Sequence, residues 1–79
     1  MTAEDHDALV RELLETDSEF RRLYEEHQSC ERRLEELSHK SLLSQDDEIE
    51  EKKIKVHKLA LKDRMESMVR EHDGARATA

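Results

Sequence analysis

The chain has no proline and no tryptophan, and one residue each of glycine, cysteine, phenylalanine and tyrosine. Without turn residues at short intervals it cannot build an all-β domain. Nor is it collagenous, mucin-like or a Gly/Ser linker. One cysteine makes no internal disulfide, which excludes a disulfide scaffold and suits a reducing compartment. No apolar run approaches the ~20 residues that span a bilayer. The polar, acidic start from Met1 to Asp7 is the opposite of a signal peptide. These absences predict a soluble, cytoplasmic chain.

What is abundant is charge. Of 79 residues, 44 % are charged and 34 % hydrophobic, and 21 acids against 14 bases give a net −7. An acidic chain repels phosphate, so nucleic acid and anionic membranes are disfavoured as default partners. This length makes one domain at most. So small a core supplies only about 3–5 kcal/mol unaided. With disulfides excluded, a partner subunit is the expected support and a metal the lesser one.

Residues 1–6 are expected to fray. Leu9, Val10, Leu13 and Leu14 then share one side of a short helix over about 7–15. Thr16-Asp17-Ser18-Glu19 favours a helix start, either by an Asp17 cap or by a Thr16/Glu19 capping box. Phe20, Leu23, His27, Cys30, Leu34 and Leu37 follow at alternating spacings of three and four, a heptad seam that predicts a helix over 18–38. The seam fails in the serine-containing stretch 38–45, which reads as a loop. Ser44 with Asp47, or Asp46 alone, can cap what comes next.

Residues 46–72 read as a second long helix with two apolar faces. Ile54, Leu61, Met65, Met68 and Val69 lie on one, and Ile49, Val56, Leu59 and Ala60 nearly opposite. Gly74 is the expected stop, and 74–79 a disordered tail after a single domain at 1–73. A short loop makes the two long helices antiparallel neighbours. Folding about residue 42 or 43 sets Leu37 near Ile49, Cys30 near Val56, His27 near Leu59 and Phe20 near Met65. The predicted fold is all-α: an antiparallel, coiled-coil-like two-helix hairpin with a short extra N-terminal helix, oligomeric through its second apolar face. One long helix with a stutter at the loop is the competing reading.

Asp17-Ser18-Glu19-Phe20 through Leu23, His27 and Leu34 resembles the first half of the YdcH-like family of short bacterial proteins. Ile54 through Met65, with its core Leu59-Ala60-Leu61-Lys62-Asp63-Arg64-Met65, resembles the second half. The resemblance spans roughly residues 8–70. The chain departs from it at Ser18, where the family often has Pro, at Lys55-Val56 in place of Lys-Lys, and at Ser29-Cys30-Glu31. The resemblance implies a small cytoplasmic helical hairpin of unknown biochemical function. It carries no catalytic residue across.

Five features could carry chemistry. Residues 52–64 hold six bases and one acid, a net +5, whereas residues 1–39 carry −7. Lys52, Lys53, Lys55, Lys58 and Lys62 could thus track phosphate. The stretch has no aromatic for base stacking, and pairing with glutamates of the preceding helix is the favoured role. His27, Cys30 and His57 are zinc-ligand types, but three residues without CxxC or HxxxH spacing do not make a structural site. A histidine at the core edge beside a buried thiol is preferred. Cys–His catalysis would need a pocket and an oxyanion hole that a two-helix hairpin does not offer. The Leu9–Leu14 helix has acidic flanks unsuited to lipid and is read as a lid on the open end or a dimer contact. Met65 and Met68 are read as core filling, with an adaptable partner groove second.

The function expected is that of a small non-enzymatic structural or adaptor protein acting by self-association and protein contact. Ile49, Val56, Leu59 and Ala60 form its intersubunit face, in a homodimer or larger, with a further protein partner possible in principle. No cofactor, metal or membrane is called for. A nucleic-acid-binding accessory protein is the alternative. The hairpin core is expected from Phe20, Leu23, Leu34, Leu37, Ile54, Leu61, Met65 and Met68.

Overall fold

A capping box opens the chain. In the computed structural model, which describes residues 2–78 and side chains as far as Gly74, the Asp5 amide donates to Thr2 Oγ1 and the Thr2 amide to the Asp5 carboxylate. Helix α1 therefore starts at Ala3 and runs to Thr16. The expected fraying of residues 2–6 is corrected by that box; Met1 lies outside the described residues.

Asp17 both ends α1 and starts α2 (Ser18–Ser38). Its amide donates to the Leu13 carbonyl, closing α1. Its Oδ1 accepts from the Glu19 and Phe20 amides at 2.9 and 3.1 Å, opening α2. Extended backbone at φ −124° and ψ 111° makes the break in direction. Arg21 reaches back to the Leu14 and Glu15 carbonyls, supplying donors that the end of α1 lacks.

Helix α3 (Gln45–Thr78) starts at a second box, between Ser44 and Asp47, braced by Lys40 Nζ at 3.0 Å from both Asp47 oxygens. Residues 39–44 connect it to α2. Gly74 does not stop α3, which continues to Thr78 where a tail was expected. Glycine terminates a helix when it adopts positive φ, and no described glycine does so. Alanines at 75 and 77 favour continuation. Ala79 lies outside the described residues.

Three helices and no strand make up the described residues, in a body 53 × 21 × 18 Å. Ion pairs Arg33–Glu50, Glu26–His57 and Glu19–Arg64 tie α2 to α3 in antiparallel sense. These three place α3 about three residues earlier than folding about 42 or 43 does, while the Glu31–Lys58 pair reaches further along α3. The midpoint of the observed loop accounts for the shift. Val56 and Leu59, on the side of α3 away from the core, stay exposed instead of packing on Cys30 and His27.

The main core joins Leu9 and Leu13 of α1, Phe20 and Leu23 of α2, and Leu61, Met65, Met68 and Val69 of α3. Helix α1 thus covers the open end of the hairpin. Leu37 is buried apart, near the loop. Leu34 and Ile54, expected in the core, are only half-buried. No described helix is long and apolar enough to cross a membrane.

Candidate functional site

A helix turns 100° per residue, so Ile49, Val56 and Ala60 fall within 40° of one another on α3, with Leu59 60° to one side of Val56. The core residues Leu61, Met65 and Met68 lie on the far side. The core face is covered by α1 and α2. The other face is not: Val56 is 71 % exposed, Leu59 60 % and Ile49 47 %, and Ala60 is exposed beside them. Leu42, in the loop, is the remaining exposed large apolar side chain. Ile49, Val56 and Leu59, with Ala60, share one side of α3 and so form an exposed aliphatic strip. Lys52, Lys53, Val56, His57 and Ala60 line a shallow depression along it.

The basic residues divide. Lys58 turns toward α2 and pairs with Glu31 at 3.4 Å, and Lys55 pairs with Glu51 one turn earlier at the same distance. Lys52, Lys53 and Lys62 make no ion pair among the described residues. Lys52 and Lys53 flank the apolar strip. One outward face of α3 therefore combines exposed aliphatic surface with uncommitted positive charge.

At the loop end, charge is committed within the chain. Arg33 makes a two-pronged contact with Glu50 at 2.6 and 2.9 Å and a third bond to Glu36 at 3.0 Å. Hydrogen bonding to Glu50 above all raises the Arg33 guanidinium above its ordinary range. The same bonds hold the Glu50 carboxyl below the usual glutamate range. Asp47 is likewise held down, chiefly by Lys40 and then by the Ser44 amide.

A second concavity, which the sequence reading did not foresee, lies between the three helices. It encloses about 390 Å³ and is lined by apolar Val10, Phe20, Met65 and Val69 with His6, His27 and Lys58 at its edge. A hairpin alone offers no such space, and the docking of α1 creates it. Its polar groups face one another: His6 Nε2 is 3.0 Å from Glu66, and Glu31 lies between His27 and Lys58.

The three residues considered as metal ligands do not converge on one another. His27 sits 3.7 Å from Glu31, and His57 is 3.6 Å from Glu26 at the exposed edge of α3. Cys30 is a free thiol, half-buried against the core. Among the described residues no group of three histidines, cysteines or carboxylates is arranged to hold a metal ion. Each of the five histidines instead lies within 3.7 Å of a glutamate. The contacts of His6, His57 and His72 join different helices, and sequence spacing gave no sign of them because each partner is remote in the chain.

The described residues form a small all-helical hairpin with an added N-terminal helix and an exposed outward face on α3. Residues 20–69 match the model of a family described as a protein of unknown function, DUF465, and the chain belongs to that family, to which YdcH-like proteins also belong. No curated protein and no solved structure matches the chain.

Proposed function

We propose that this is a small non-enzymatic structural or adaptor protein of the cytoplasm that acts by self-association and by protein contact through the outer face of α3. The observation that carries this reading is the exposure of Ile49, Val56 and Leu59 on one side of a helix whose other side is already buried. Covering aliphatic side chains contributes about 25 cal/mol for each Å² removed from water. A chain with so small a core gains most from such cover. Val56→Glu tests the reading: mass in solution should fall to that of a monomer while the circular dichroism stays helical. Unchanged assembly in that variant would remove this face from the account.

One observation favours a second reading, a nucleic-acid-binding accessory role: Lys52, Lys53 and Lys62 have no carboxylate partner among the described residues. Phosphate contacts release counterions, so binding must weaken steeply with salt. Retention of a fluorescent RNA or DNA oligomer at low salt, lost on adding salt and on Lys52→Ala/Lys53→Ala, is the result that reading requires. No retention at low salt removes it.

A further inference from the structure

The exposed seam of α3 is built to pair with itself in reverse. Lys52, Val56, Leu59 and Asp63 lie within 60° of one another around the helix, at spacings of four, three and four. The spacing is the same read from either end. The two middle residues are apolar and exposed. The two end residues are exposed, opposite in sign, and without an ion pair among the described residues. We infer that the occupant of this face is a second copy of the chain, its α3 antiparallel to the first about a two-fold axis between residues 57 and 58. The inference rests on the self-association proposed above and adds its partner, direction and register.

In that arrangement each seam layer finds its complement. Val56 lies on Leu59 of the second copy, and Leu59 on its Val56. Lys52 meets Asp63 of the second copy, and Asp63 its Lys52. Two-fold symmetry makes every such contact twice. Beside the seam, the aliphatic stem of Lys53 covers Ala60 of the second copy while its ammonium reaches water. A parallel pair offers none of this. It would set Lys52 on Lys52 and Asp63 on Asp63, and like charges across a seam oppose association. Besides Glu48 near Glu66 of the second copy further out, the antiparallel pair has one adverse contact beside the seam, Lys55 near Lys62 of the second copy. That contact supplies a substitution expected to tighten the assembly.

Sedimentation equilibrium of the full chain tests the seam, with circular dichroism to confirm that each variant is helical. Lys52→Asp and Asp63→Lys should each raise the dissociation constant about tenfold, because each change acts at two symmetric places in a charged contact of modest strength. The double variant Lys52→Asp/Asp63→Lys should return to within about twofold of the wild type, since only reversed polarity separates them. Lys62→Glu should tighten association. A wild type that associates while the double variant stays as weak as either single one overturns the antiparallel seam and leaves self-association standing. Weaker association in Lys62→Glu also overturns it. A wild type that is monomeric at every concentration overturns both the seam and the reading beneath it.

Discussion

Asp17 shows how much one residue can fix. Its backbone amide closes α1 and its carboxylate opens α2, so a single position sets where the first helix turns back onto the hairpin. Removing an N-cap side chain typically costs about 1 kcal/mol. Asp17→Ala should therefore lower stability by about that amount in urea titration, whereas Asp17→Asn, an equally good cap, should stay close to the wild type. Equal loss in both would mean that the carboxylate matters for its charge and not as a cap. The residue was legible in the sequence, because Thr16 to Glu19 carries cap chemistry immediately before a heptad seam. Arg21 was not. Its bonds to the Leu14 and Glu15 carbonyls depend on the angle between two helices, which no local pattern encodes. Thr2 and Asp5 did carry a readable capping signal, and with it the true start of α1.

Between elements, the antiparallel pairing of α2 with α3 is set by the loop and held by charge. Periodicity distinguished the two faces of α3, but not which turn of α3 meets which turn of α2. That depended on where the loop has its midpoint, and the Ser44–Asp47 box starts α3 at Gln45. Glycine at position 74 misled for a related reason: the residue permits a helix stop and does not compel one. The Arg33–Glu50 contact gives the pairing a pH signature. A carboxylate held below its usual range by a folded-state partner adds stability at pH values above its unfolded pKa, and loses it as pH falls through the lower folded value. Glu50 and Asp47 both have that sign. Glu50→Gln should thus be less stable than the wild type at neutral pH, and the gap should close as the solution is acidified past the ordinary glutamate range. Urea midpoints measured across that range check it. A gap that is constant with pH would mean the contact contributes through packing alone.

At the scale of the whole molecule, the acidic and basic halves are brought side by side without cancelling. Helix α2 lends glutamates to Lys58 and Arg64, yet the outer face of α3 keeps its lysines and its exposed aliphatic strip. That strip was legible, since 100° periodicity separates Ile49, Val56 and Leu59 from the core residues whatever the register. The groove under α1 was not, because it exists only once three elements are packed. The central claim is that the outer face of α3 is covered in solution by another copy. The most direct test is the mass of the wild type over a wide concentration range, beside Val56→Glu, with circular dichroism on the same samples. The account predicts a helical dimer or larger that dissociates on dilution, and a helical monomer for the variant. A wild type that is monomeric and helical at every concentration would contradict it.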